Sequence, residues 1–166
     1  MGGRVSTPRT RGLPVTTVTA KEVADYFIRF SQDHGDPISN LKLQKLLYYG
    51  QAWHLALYDR PLFSEPIEAW IHGPVVRSVW SQFQGSWKPI NFRPRRPDLS
   101  MHTSNHLDEV MEVYGGLSAF DLERLTHSES PWRKARGRIP SDKPSFAVIK
   151  NSDMKEFYKA IKDGKK

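Results

Sequence analysis

The stretch Asn40–Asp59, NLKLQKLLYYGQAWHLALYD, constrains the fold more than any other. At helical spacing, Leu43, Leu46, Leu47, Gly50, Trp53, His54 and Leu57 fall on one broad face. Leu41, Tyr48, Ala52 and Leu55 form a second apolar stripe nearly opposite. Narrow polar strips separate the two, with Lys42, Lys45 and Tyr49 on one and Asn40, Gln44 and Gln51 on the other. A helix that is apolar on two sides must be covered on two sides. The pattern therefore predicts a central helix with the other elements packed around it. Glycine costs about 1 kcal/mol against alanine inside a helix, so Gly50 predicts the close approach of another backbone.

The flanking sequence supplies those other elements. Thr19 and Glu22 form a capping box, with Val18 and Val23 placed to staple it. Ala20, Val23, Ala24, Phe27 and Phe30 line the helix that follows, which Gly35 and Pro37 end. Ile67, Ala69 and Ile71 alternate as an extended segment, and His72-Gly73-Pro74 reads as the start of a third helix. Residues 85–104 read as a long loop with Trp87, Phe92 and the basic residues Lys88, Arg93, Arg95 and Arg96. Further helices are predicted from about Asn105, from Ser118, from Ser130-Pro131, and from Asn151 or Ser152, the last with Met154, Phe157, Tyr158 and Ile161 inward. Phe146–Ile149 reads as a short extended segment. The expectation is a mainly α, compact single-domain bundle of six or seven helices with at most a minor β element. It occupies residues 18–162, between a disordered basic tail at 1–17 and a basic end at 163–166.

The formal charge of +7 suggests a nucleic-acid partner, but its distribution weakens that reading. Residues 1–17 carry three arginines and no acid, and residues 155–166 carry five lysines against Glu156 and Asp163, which leaves +1 for the domain between. A helix–turn–helix would need its second helix to present a polar reading face, whereas here that helix is apolar on both sides. The chain has no cysteine, so disulfides and thiolate metal sites are excluded. No apolar run reaches the roughly 20 residues that span a bilayer. We expect a cytoplasmic protein with no membrane association.

Catalytic signatures are absent: there is no nucleophile elbow, phosphate-binding glycine loop or H-E-x-x-H. His54 reads as a hydrogen-bonded core histidine, and His102 and His106 share a face only if their helix begins early. Two clusters, Glu68–Pro74 and Thr126–Trp132, each combine a histidine, an acid and a tryptophan beside a proline. A histidine and a carboxylate can do acid–base work, or the same groups can fix loops and satisfy helix ends. The structural role is favoured. No cofactor or metal is expected.

These residues also carry a resemblance. L-K-L-Q-K-L-L-Y-Y-G-Q-A-W from Leu41, P-L-F from Pro61, I-E-A-W-I-H-G-P-V-V from Ile67 and L-T-H-S-E-S-P-W from Leu125 resemble, in order and spacing, the Panacea domain, or SocA-like antitoxin domain. The likeness runs from Val18 to Ile161. It implies a bacterial or phage antitoxin that neutralises a protein toxin encoded next to it by direct binding, with a hetero-oligomer as the product. Phage defence is a setting for such pairs. One family member instead delivers its toxin to a protease. The resemblance brings no catalytic residues. The motif positions Leu43, Gln44, Leu46, Leu47, Tyr48, Trp53, Trp70, His72, Gly73, Pro74, His127, Glu129, Pro131 and Trp132 are expected to be scaffold. A toxin-binding surface is expected elsewhere, first at Trp87, Lys88, Phe92, Arg93, Arg95 and Arg96, since aromatic and arginine side chains are common interface anchors. A nucleic-acid-binding regulator of its own operon is the alternative from a different class. A small hydrolase using His72 or His127 has least support.

Overall fold

The computed structural model describes residues 18–164. The tail at 1–17 and the last two residues of the basic end lie outside the described residues. Seven helices are described: α1 (Ala20–Asp33), α2 (Asn40–Tyr58), α3 (Arg77–Trp80), α4 (Met101–Tyr114), α5 (Ala119–His127), α6 (Ser130–Arg136) and α7 (Asn151–Lys162). A two-stranded antiparallel sheet, β1 (Glu68–Trp70) and β2 (Gly73–Val75), lies between α2 and α3. The chain is mainly α, as its periodicity predicts.

α2 is the centre. The Ser39 hydroxyl accepts from Lys42 N and starts it, and Asp59, in the left-handed region at φ 60°, ends it. α1, α4, α5, α7 and β2 all pack on it. Leu43, Leu46, Leu47 and Tyr48 are completely buried. The enclosure exceeds the prediction, because the polar strips are buried as well: Asn40, Gln44, Lys45 and Gln51 are each at most 2% exposed. The three amide side chains stay folded in because each finds a partner. Gln44 Oε1 accepts from Val76 N at 2.9 Å, and its amide donates to Asn40 Oδ1, whose own amide donates to the Trp80 and Phe83 carbonyls. Gln51 clamps the 61–63 turn, accepting from Leu62 N and donating to the Phe63 carbonyl.

Several boundaries differ from the sequence reading, each for a local reason. Gly73 and Pro74 do not begin a helix; they form β2, with Ala69 opposite Pro74 and Trp70 opposite Gly73. Pro74 lacks an N–H, which this short hairpin tolerates, and Gly73 makes the turn at φ 109°. The helix then starts at Arg77 and lasts one turn. α4 begins at Met101, not Asn105, because the Ser100 hydroxyl caps it by accepting from Thr103 N. α7 takes Lys150 as its N-cap residue, without a side-chain bond, and its Ile161 is 41% exposed instead of buried. Gly50 does not meet a backbone: an added Cβ would sit 3.7 Å from Leu62 and 3.8 Å from Leu107 and Phe27 side-chain atoms, ordinary contacts. The extended segment near Phe146 does form. Val148 bridges Glu68, and Ala69 N and Ile149 N bond the Ala147 and Ile67 carbonyls, so β1 is flanked on both sides.

Candidate functional site

The two histidine–tryptophan clusters come together around the hairpin, with their polar groups exchanged. Glu68 takes Trp70 Nε1 at 2.8 Å and the Arg77 guanidinium at 2.7 Å, leaving His72 to face Glu123 of α5 at 3.2 Å. Glu129 does not meet His127. It accepts from Tyr49 at 2.9 Å and from Tyr158 at 2.7 Å, while the Tyr48 and Tyr158 hydroxyls lie 3.1 Å apart. His127 instead stacks on Trp132, with centroids 3.9 Å apart. Trp132 Nε1 donates to the Trp70 carbonyl at 2.8 Å and Arg136 donates to the Ala69 carbonyl at 3.0 Å, so α6 is latched to β1. Neither cluster therefore contains the histidine–carboxylate pair its sequence suggests.

Burial sets the charge state of this layer. It raises the Glu129 carboxyl, opposed by the two tyrosine hydroxyls, and it raises Tyr48, Tyr49 and Tyr158. Lys45 is completely buried under the hairpin turn. Its ammonium has one carbonyl, that of Pro74, at a long 3.5 Å. Burial, opposed by the charge of Glu123, lowers it to about 7. Lys42 is also lowered by burial, and it donates to the Gly115 carbonyl at 2.6 Å, just past the end of α4.

A third histidine group stands on the other side of α2. Because α4 starts early, His102 and His106 both face His54. His54 Nδ1 donates to the Arg60 carbonyl at 2.7 Å and its Nε2 lies 3.1 Å from His102 Nε2. His106 Nε2 donates to the Gly50 carbonyl at 2.8 Å. Burial lowers His54 to about 4 and also lowers His106, so both are neutral at pH 7. Among the described residues no group of three or more acidic, histidine or cysteine side chains is placed to hold a metal.

The proposed contact loop is divided between two surfaces. Trp87 is 60% exposed and faces the His72 ring, with Lys88 exposed beside it. Phe92, Arg93 and Arg96 run along α1. Arg93 and Arg96 both bind Asp33 at 2.7 Å, Gln32 donates to the Phe92 carbonyl, and Lys21 lies over the Phe92 ring. The Arg93 bond holds the Asp33 carboxyl below the usual carboxylate range. Arg95 is exposed between them. Sequence reasoning missed Asp33 as the pin of this loop and missed the buried lysines. The two glutamines at i and i+7 of a helix apolar on both sides were a usable signal for the buried clamps.

Comparison with known proteins gives the chain a family. The sequence model of the family described as "Antitoxin SocA-like, Panacea domain" matches residues 43–133, from the core of α2 through α6. The protein named Antitoxin SocA from Caulobacter vibrioides (strain NA1000 / CB15N) is 32% identical over 130 residues, covering 70% of this chain and 69% of that protein. No solved structure matches. The matched segment holds the central helix, the hairpin and both histidine–tryptophan clusters, and on these grounds the chain belongs to the SocA-like, Panacea-domain antitoxin family.

Proposed function

We propose that this chain neutralises a protein toxin by binding it directly, as the antitoxin of a bacterial or phage pair, and has no catalytic activity of its own. The similarity to Antitoxin SocA carries the reading. The internal chemistry supports it: the motif side chains bond one another and leave the surface to recognition. Glu129 serves two tyrosines, and Glu68 serves Trp70 and Arg77. The enclosure of α2 over all but its last turn removes the helix that a helix–turn–helix would insert into DNA. No described helix is long and apolar enough to cross a membrane, and we place the complex in the cytoplasm. Trp87, Lys88 and Arg95 are the exposed loop residues we assign to toxin contact; Phe92, Arg93 and Arg96 contribute from their pinned positions beside α1.

The test is co-expression with the product of the adjacent gene. Growth rescue together with a complex that survives size-exclusion chromatography supports the proposal. Rescue without a complex refutes the binding mechanism. Full rescue by a folded W87A/K88A/R95A variant moves the contact surface off the loop.

A further inference from the structure

The covering of α2 stops one turn short of its end. Trp53 is held between Tyr114 of α4, whose hydroxyl accepts its Nε1–H at 2.7 Å, and Tyr158 of α7, 5.3 Å away between ring centroids. Leu57, the next residue on the same stripe, is 39% exposed, and Val113 on the facing side of α4 is 64% exposed. Between them lies a cavity of about 250 Å³ lined by Trp53, Leu57, His106, Glu109, Val110 and Val113. That is below the roughly 300–1,000 Å³ of small-molecule sites, and it suits one or two apolar side chains delivered by another protein. A stripe of apolar residues left open between two helices is the geometry that receives an amphipathic helix.

The charge beside the groove specifies the occupant. Glu109 and Glu112 stand exposed on α4 in a chain whose net charge is +7, so the acidic edge is local. On α7, Lys155 and Lys159 are both taken by Asp59, at 3.0 and 3.1 Å, which leaves α4 as the charged edge of the groove. A helix lying in the groove meets that acidic edge. Inside the cavity wall, His106 spends its Nε2–H on the Gly50 carbonyl, and its buried Nδ1 has no partner.

We propose that this groove receives an amphipathic helix of the toxin. Its apolar anchors enter the cavity beside Leu57 and Val113, and its basic residues lie against Glu109 and Glu112. The proposal rests on the antitoxin reading and adds to the loop a second surface for the toxin. The acidic rim sets orientation and speeds association, while the desolvated anchors supply most of the affinity.

The experiment uses the full chain and the product of its adjacent gene, with affinity measured by calorimetry and growth rescue scored in parallel. Val113→Lys and the double variant E109K/E112K alter exposed side chains and should leave the melting temperature unchanged. Each should weaken binding at least tenfold and abolish rescue. Reversing a basic residue of the toxin helix to glutamate should restore binding to E109K/E112K. Binding of both variants within twofold of wild type overturns the groove proposal and leaves the antitoxin reading standing. Failure of the wild-type chain itself to bind or rescue refutes that reading instead. Self-association of the wild-type chain that Val113→Lys abolishes would assign the groove to a second copy and likewise overturn the proposal.

Discussion

Replacing Lys45 with methionine should stabilise this protein. Lys45 lies wholly inside the fold with a single long bond to the Pro74 carbonyl. Its folded pKa of about 7 stands against an ordinary 10.5. Below pH 7 the amine is protonated in both states and the fold carries the whole desolvation cost. Between about 7 and 10.5 the native amine is neutral while the unfolded one is still charged, so stability rises with pH across that window. At 1.36 kcal/mol per unit, the cost at pH 7 is about 4 kcal/mol and falls to about 1 kcal/mol by pH 9.5. The useful window closes near pH 10. Burial pushes Tyr26 and Tyr114 up to about 12 and raises the core tyrosines further, so unfolded tyrosines ionise first and stability falls again. Methionine is apolar and flexible, and reshaping the site costs under about 1.5 kcal/mol. The net gain for K45M at pH 7 is therefore about 2–4 kcal/mol. Urea denaturation followed by circular dichroism at pH 7.0 and 9.5 tests this: wild type should gain about 3 kcal/mol between the two pH values and K45M almost nothing. A destabilised K45M, with wild-type stability flat across the window, would show that Lys45 is charged and well paired in the native state, contrary to the reasoning.

Four other outcomes are expected. Gly73→Ala should lose about 1–3 kcal/mol from its positive φ alone, with more from a Cβ 2.6 Å from Lys45 Cε, and thermal melts of G73A and of G73A/K45A will show the second part relieved. Tyr158→Phe removes the hydroxyl shared by Glu129 and Tyr48 and should cost about 1–3 kcal/mol, read from a shift of the urea midpoint without a change of slope. Leu47→Ala should cost about 2–5 kcal/mol by the same measurement, since the side chain is fully buried. Acid should destabilise the fold as pH falls from about 6.5 towards 4: His54 and His106 stay neutral in the native state while the unfolded chain takes up protons, and His54→Gln should flatten that limb of the melting profile.

The apolar pattern of α2 made the centre of the fold legible, because a helix with two apolar stripes has few other places to go. Caps were legible for the same reason of local chemistry: Thr19 and Ser118 each make the side-chain bond that their type and position imply. What was not legible depended on partners far along the chain. Nothing near Lys45 in sequence shows that α5 and the hairpin will close over it. His72 and Glu129 have acceptable neighbours within their own motifs, yet each is paired by a residue tens of positions away. Pro74 favours a helix start only until Glu68–Trp70 is available to pair with it. The arginines of the loop looked free, and Asp33 on α1 claims two of them.

The position of α7 bears on how the protein is made. Among the described elements α7 packs most extensively on α2, yet the ribosome makes it after every element it touches. Until it arrives, Tyr48, Tyr49 and Glu129 lack Tyr158, and one side of the central helix is bare. A nascent chain stopped before residue 150 would therefore expose a wide apolar flank around a carboxylate missing one of its donors. Translation that stalls there would leave a product fit for proteolysis and not for binding, which ties the supply of competent protein to uninterrupted synthesis.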